Sequence, residues 1–393
     1  MNVSASRFGK QRTIDQSIDF ASAGPGTPGG TFLRQFWQPV HLSATLKAGT
    51  AKPITIMGEK FTLYRGETGT AHVVGYRCAH RSTQLSTGWV RGDNIQCMYH
   101  GWTFDGGGRC VARPGERIFG PVDNVGVPAY PTREHLGLVY AYFGPGDAPA
   151  FPPFPDFGPE GVVENFAHDF PCNWFQTYEN QIDEVHIAFV HSFSGSHQAL
   201  GRELKLPDTN AYETPYGMVR ETRSGDGPMR STLYLLPNTM RIIIPTFNGL
   251  NHIGGWRDSF LTLVPTEDES HILFMTQHAK VSAGERPKWQ EAWDAFNARI
   301  AASPTPRAVA RDVLDGKYTI NDVLDHPLLL VIEDAVAQQG QGEIVDRSLE
   351  RLGRTDVGIV NMRRVFEPEL RAIAEGRPTL NWVYSGEPAV RGF

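Results

Sequence analysis

Two short stretches concentrate the side chains able to do chemistry. In the first, Cys78-x-His80 is followed, sixteen residues on, by Cys97-x2-His100. Two loops thus bring two thiolates and two imidazoles together, each loop supplying one of each. A tetrahedral zinc accepts the same ligand set, although zinc fingers typically pair Cys with Cys and His with His. The mixed pairing suits a [2Fe-2S] cluster whose two irons take different ligands, Cys78 and Cys97 on one and His80 and His100 on the other, with the neutral imidazoles raising the reduction potential.

The second stretch is YENQIDEVHIAFVH, from Tyr178 to His191. On a helix Asp183 and His186 are three apart and share a face, whereas His191 needs a helix end or a distortion to converge with them. Two imidazoles and one carboxylate on one side of Fe(II) leave open positions opposite, the arrangement of non-haem oxygen chemistry. A pair of incidental histidines on an amphipathic helix is the plain alternative. The upstream cysteine–histidine loops argue against it, because a second metal centre gives a cluster's electrons a destination.

These ligands need elements to carry them. KPITIM, KFTLYR, AHVVGY, GWTF and LGLVYAYF, between Lys52 and Phe143, read as short strands bounded by glycine turns. The proline-rich stretch Gly144 to Gly161 excludes regular structure and marks a boundary. At 393 residues the chain exceeds one hydrophobic core. The expected fold class is α+β: an N-terminal all-β [2Fe-2S] domain with its leading segment, residues 1–155, then a catalytic domain, residues 156–393, with an antiparallel sheet covered by helices. In the latter, Asn173 to His191 and the tail from Thr355 to the stop signals Gly376 and Pro378 read as helices. RSTLYLLP, NTMRIIIP and HILFMTQHAKV read as strands. Trp289, Trp293, Phe296 and Ile300 line one helical face as packing residues, and Trp102 is expected to pack over the second cysteine loop. GPGTPGG at Gly24 to Gly30 follows no strand and reads as a plain turn, not a phosphate loop.

The bulk numbers exclude several classes. A net charge of −6 without a dense Lys/Arg block gives no footprint for nucleic acid or anionic lipid. The longest strongly apolar run, Leu328 to Ile332, is too short to span a membrane, and the first residues lack a signal-peptide core. Four cysteines make no disulfide framework, so a soluble cytoplasmic protein is expected. Neither G-x-G-x-x-G in a strand–turn–helix setting nor a C-x4-C-x2-C run occurs, so electrons from NAD(P)H must arrive through another protein.

CAHR and CMYHGWTFDGGG resemble the cluster loops of the Rieske non-haem iron oxygenases. LRQFWQPV, Leu33 to Val40, is similar to the N-terminal segment of their phthalate-dioxygenase-like branch. Asn180, Asp183, His186 and His191 fall on the family's Asn-x2-Asp-x2-His-x4-His signature. The resemblance implies that His186 and His191 bind iron. It implies that Asp183 is a carboxylate bridging an iron-ligating histidine of its own chain to a cluster histidine of a neighbour in a head-to-tail homotrimer. The family's last ligand maps to Asp334 in VIEDAVAQQGQG, with Glu333 the nearest rival. It further implies a terminal oxygenase that uses O2, and electrons from a separate NAD(P)H-dependent reductase or ferredoxin, to hydroxylate or O-demethylate an aromatic small molecule. Monooxygenation is favoured over cis-dihydroxylation; the readings from another class are a non-catalytic electron carrier and a zinc-stabilised binding protein.

Residues Gly201 to Leu330 are expected to line an apolar pocket beside the iron. Arg220, Arg241 and Lys280 are possible anchors for a substrate carboxylate, with exposed salt bridges as the plainer reading, and Asp346 and Asp356 read as surface salt-bridge partners. His72, His135, His252, His271 and His278 lack metal spacing.

Overall fold

The β-branched and aromatic runs form strands, and the way these strands pack decides where the two ligand sets lie. The structure, a computed structural model, describes residues 18–155, 157, 161–191, 206–244 and 253–389. Thr27 caps a short helix, α1 (Pro28–Arg34), by accepting the Gly30 N–H, so the glycine-proline stretch runs straight into a helix instead of standing as an isolated turn. Glycine is required there: a Cβ on Gly30 would lie 2.1 Å from the Gly24 carbonyl oxygen.

Three small antiparallel sheets follow. β1 (Trp37–Leu42) pairs with β11 (Leu138–Tyr142), which also pairs with β10 (Thr132–His135). β2 (Thr50–Ile56), β3 (Glu59–Arg65), β4 (Ala71–Gly75) and β9 (Ala129–Tyr130) form the second sheet. β5 (Trp89–Arg91), β6 (Asn94–Gln96), β7 (Thr103–Phe104) and β8 (Cys110–Ala112) form the third, at the end that carries the cysteine loops.

The larger sheet has seven antiparallel strands: β12 (Val162–Phe170), β13 (Pro207–Thr214), β14 (Gly217–Ser224), β15 (Arg230–Leu235), β16 (Thr239–Ile244), β17 (Arg257–Glu267) and β18 (Ser270–Ala279). Their order is β12-β18-β17-β16-β15-β14-β13. The described helices around it are α2 (Trp174–Ile182), α3 (Val185–Val190), α4 (Arg286–Ala302), α5 (Pro306–Leu314), α6 (Leu329–Gln339) and α7 (Val357–Ala374). As its spacing predicts, α4 turns Trp293 and Phe296 onto Phe166 of β12, with ring centroids 5.3 and 6.3 Å apart. No described helix is long and apolar enough to cross a membrane.

The two halves share one core. Phe20, Phe32 and Leu33 from the leading segment pack with Trp174, Phe175 and Tyr178 of α2 and Phe366 of α7. Phe366 meets Phe32 at 5.8 Å and Phe175 at 5.2 Å, both edge-on, a geometry that adds about 0.5–1.5 kcal/mol per pair beyond burial. The tip of the β2–β3 hairpin is pinned as well. A register shift between Pro265 and Glu267 of β17 frees carbonyls that accept the Met57 and Gly58 N–H groups, each at 2.8 Å.

β12 has no counterpart among the sequence-read strands because charged residues interrupt its apolar alternation. One of them, Glu164, is buried against Arg257 across β18, both side chains fully enclosed. Arg257 also donates to the Ile253 and Gly255 carbonyls, and the Trp289 indole donates to Glu164 at 2.9 Å. Removing one partner from such a pair strands a buried charge. Arg257→Met is therefore expected to lower the unfolding free energy by about 3–5 kcal/mol in urea titrations. The double variant with Glu164→Leu should recover part of the loss; a single-variant loss below about 1 kcal/mol contradicts the assignment.

Candidate functional site

The first ligand set sits on two loops built alike. The Cys78 N–H donates to the Thr83 carbonyl at 2.8 Å, and the Ser82 N–H returns to the Cys78 carbonyl at 2.9 Å. In the other loop the Cys97 N–H donates to the Trp102 carbonyl at 2.8 Å and Gly101 N–H to the Cys97 carbonyl at 3.0 Å. Each loop turns through a left-handed residue four positions after its cysteine: Ser82 with φ of 58° and Gly101 with φ of 75°. This common geometry pushes both cysteines inward and both histidines outward.

Cys78 and Cys97 are buried, and His80 and His100 are exposed with ring centroids 4.6 Å apart. Burial, together with the adjacent Cys97 sulfur, pushes the Cys78 thiol up to about 11. Two neighbouring buried sulfurs and two outward imidazoles match a cluster with a cysteine-held inner iron and a histidine-held outer iron, whose metal charge favours the thiolates. Trp102, expected to pack over the second loop, stacks on His80 of the first loop at 4.6 Å, and the Arg113 guanidinium lies over its ring 4.1 Å from the ring centre.

The second set assembles where a helix breaks. Asn173 caps α2 by accepting the Phe175 N–H, and α2 ends at Ile182 because Asp183 takes an extended conformation, ψ 117°. The Asn173–His191 stretch is therefore two helices rather than one. α3 starts again at Val185, and His191 follows its last residue, at φ −94°, ψ 14°. His186 opens α3 and His191 closes it; their rings lie 5.3 Å apart.

α6 lies opposite and presents two consecutive carboxylates. Asp334 Oδ1 is 3.7 Å from His186 Nε2 and 3.4 Å from His191 Nε2. One potential ligand atom from each of the three lies within 4.8 Å of the others. Each imidazole is fixed from behind: His186 Nδ1 is 2.6 Å from the Asp183 carbonyl, and His191 Nδ1 is 3.0 Å from Glu333 Oε2. Glu333 thus sits behind His191 while Asp334 faces both Nε2 atoms. Asn180 Nδ2 donates to Asp334 Oδ1 at 3.1 Å and lies 3.5 Å from His186 Nε2.

The electrostatics fit a divalent cation. Burial alone would lower His191, but Asp334 and Glu333 overcome it and hold the imidazole up at about 9. Burial would raise Asp334, yet His191, His186 and Asn180 keep it below the usual carboxylate range. Burial lowers His186, which Asp334 only partly offsets. Two buried carboxylates, two imidazoles and an unpartnered Glu333 Oε1 among the described residues form an acidic pocket with two Nε2 atoms and one carboxylate pointing inward.

Asp183 differs from its expected role in one respect. Its main-chain carbonyl, not its side chain, meets His186 Nδ1; the carboxylate lies 4.0 Å away and accepts the Val185 N–H at 2.8 Å instead. Arg220 and Arg241 are not exposed salt-bridge residues. Both are buried, Arg220 against Glu184, and Arg241 against Asp258 and the Glu387 carbonyl. Lys280 is exposed. Asp346 and Asp356 cap turns, accepting the Ser348 and Gly353 N–H groups, while Arg347 pairs with Glu179.

His72 packs beside Tyr64, His135 beside Phe154, His271 against the Cys172 carbonyl and His278 on Phe157; His252 lies outside the described residues. A cavity of about 400 Å³ draws on the expected pocket residues, Leu235 to Thr239, but also on Trp37, Phe154 and Trp382, and neither histidine nor Asp334 lines it. Residues 201–205 and 245–252 of the expected lining lie outside the described residues.

Known proteins resemble this chain over the stretch that carries the first ligand set and over most of its length. The Rieske [2Fe-2S] domain family matches residues 36–131. The chain is 30% identical over 381 residues to the 5,5'-dehydrodivanillate O-demethylase oxygenase subunit of Sphingobium sp. (strain NBRC 103272 / SYK-6), covering 93% of this chain and 82% of that one. It is also 30% identical to the tert-butanol monooxygenase / tert-amyl alcohol desaturase oxygenase subunit of Aquincola tertiaricarbonis, over 94% of this chain and 79% of that one. Its fold matches the oxygenase in the reduced oxygenase–ferredoxin complex of carbazole 1,9a-dioxygenase with a TM-score of 0.63 at 19% identity, covering 91% of this chain and 94% of that one. The full-length similarity and the two metal-ligand sets lead to one conclusion: this chain belongs to the Rieske non-haem iron oxygenases, as an α subunit.

Proposed function

We propose that this chain is the terminal oxygenase of a multicomponent system and hydroxylates or O-demethylates an aromatic small molecule, by monooxygenation in preference to cis-dihydroxylation. The observation that carries this reading is the convergence of His186 Nε2, His191 Nε2 and Asp334 Oδ1, with each imidazole's Nδ1 already partnered. The aromatic class is supported by the dehydrodivanillate relative.

When bound, the mononuclear iron supplies O2 chemistry and the cluster supplies single electrons. The chain's own side chains prepare both. Cys78, His80, Cys97 and His100 hold the cluster, and His186, His191 and Asp334 hold the iron. Glu333 and the Asp183 carbonyl hold the Nδ1 side of each ring, so that both Nε2 atoms face one spot, where a bound cation would displace the Nε2 proton of His191. Asn180 orients Asp334, and burial of His191 and Asp334 limits water on that side.

The Asp183 carboxylate, 26% exposed, has one oxygen, Oδ2, that accepts no hydrogen bond among the described residues and can take one from a cluster histidine of a neighbouring chain in a head-to-tail homotrimer. Exposure of His80 and His100 suits such a contact. Residues 1–155 form the cluster domain and 156–393 the catalytic domain. Electrons come from a ferredoxin or a NAD(P)H-dependent reductase, in keeping with relatives named as oxygenase subunits.

The test of the reaction is formaldehyde release from a panel of methoxyarenes, with O2 and an added ferredoxin–reductase pair. The wild type is expected to release it in step with substrate-dependent O2 uptake. His186→Ala should keep the cluster's visible absorption and release none. Turnover of tert-butanol but of no arene would overturn the aromatic reading; full activity of His186→Ala would overturn the iron assignment.

A second test addresses Glu333. Removing its charge with Glu333→Gln loosens the tautomer and orientation of His191, so the Fe(II) dissociation constant should rise about 10–100-fold in equilibrium titrations of iron-depleted protein. Wild-type affinity in this variant contradicts the role.

A further inference from the structure

A helix leaves its last four carbonyls without internal donors. At the end of α2 these belong to Glu179, Asn180, Gln181 and Ile182. The Asp183 N–H serves the first two, at 3.1 and 3.2 Å. The other two are served from the sheet. The Gln181 carbonyl accepts from Tyr234 Oη at 2.7 Å and from Arg220 Nη1 at 3.2 Å, and the Ile182 carbonyl accepts from Arg220 Nη1 at 2.8 Å.

The same guanidinium reaches past the break. Arg220 Nη2 lies 2.5 Å from Glu184 Oε2 and donates to Thr232 Oγ1 at 3.2 Å; Arg230 takes the other Glu184 oxygen. Arg220 is 2% exposed, so these contacts are made out of water, where they are strongest. Its charge also faces the negative end of the α2 dipole. One side chain from β14 therefore grips Ile182 and Glu184, the residues on either side of Asp183. Asp183 in turn gives its carbonyl to His186 Nδ1 and a carboxylate oxygen to the Val185 N–H.

We propose that Arg220 is a positioning residue for the metal site: by holding Ile182 and Glu184 it fixes the break between α2 and α3 that aims His186 Nε2 at Asp334. A substrate anchor it is not, since both terminal nitrogens are engaged by protein groups and the side chain is enclosed. The proposal rests on the reading that His186, His191 and Asp334 hold the metal. A purely structural arginine would lower the melting temperature on removal but leave the folded protein's site unchanged. A positioning arginine alters the site itself.

The experiment uses Co(II) added to protein that retains its cluster but has lost its mononuclear iron to a chelator. The visible ligand-field bands of Co(II) report the geometry of its ligands. The wild type should bind one equivalent, and His186→Ala should abolish the bands; failure of either control refutes the metal-site reading itself, separately from the role of Arg220. With both controls met, Arg220→Met is expected to keep the cluster's spectrum, bind Co(II) at least about tenfold more weakly and shift the bands. Arg220→Lys, which keeps a charged donor within reach of the Ile182 carbonyl, should restore most of the affinity. Wild-type bands and affinity in Arg220→Met, or no recovery in Arg220→Lys, overturn the proposal. Should Arg220→Met fail to fold, Tyr234→Phe removes only the hydroxyl on the Gln181 carbonyl. A smaller shift of the same bands supports the proposal, and unchanged bands overturn it.

Discussion

The break in the helical run at Asp183 is the constraint on which the candidate iron site depends. Residues five apart on a continuous helix point about 140° away from each other, so His186 and His191 cannot both address one spot from its middle. The chain solves this by ending α3 at Val190, so that His191 lies beyond the helix at φ −94°, ψ 14°, while the earlier stop of α2 at Ile182 and the turn through Asp183 set where α3, and His186 with it, begins. The turn also returns Asn180 and His186 to the same Asp334 oxygen. The open carbonyls of α2 find their donors on the sheet, in Arg220 and Tyr234.

The neighbouring carboxylates show a second economy. Consecutive residues on a helix diverge by about 100°, which lets Glu333 and Asp334 address opposite nitrogens of His191, Nδ1 and Nε2 respectively. One carboxylate fixes the ring and the other shares its metal-facing side. Burying two acids together is costly without compensating charge. The imidazoles meet part of that demand, and a divalent cation would meet the rest. The cluster loops apply the same logic with sulfur: enclosed, adjacent thiols in place of enclosed, adjacent acids.

The cluster loops were legible in the sequence because all four ligands lie within twenty-three residues and their spacing is itself the signal. Strands β2, β3, β4, β7 and β11 and helices α4 and α7 were legible too, being set by local periodicity. The unread features depend on partners distant along the chain. Glu184 and Arg220 are 36 positions apart, and no local pattern pairs them. The β12 strand hides its character because Glu164 is matched by Arg257, 93 positions on. Which of Glu333 and Asp334 faces the Nε2 atoms is a matter of how α6 is rotated, which sequence does not encode locally. Asp346 and Asp356 stand near arginines yet serve backbone N–H groups two or three residues away, because an acid reaches so close a free donor at less entropic cost than it reaches a long side chain.

The central claim is that one chain holds both a histidine–cysteine cluster and a separate lone iron. Iron and acid-labile sulfide assays with Mössbauer spectroscopy on anaerobically reconstituted protein test it most directly. The account predicts about three iron ions for every two sulfides, with roughly a third of the iron absorbing as an isolated high-spin ferrous centre. Equal iron and sulfide with no isolated ferrous signal would contradict the second site, and zinc without sulfide would contradict both.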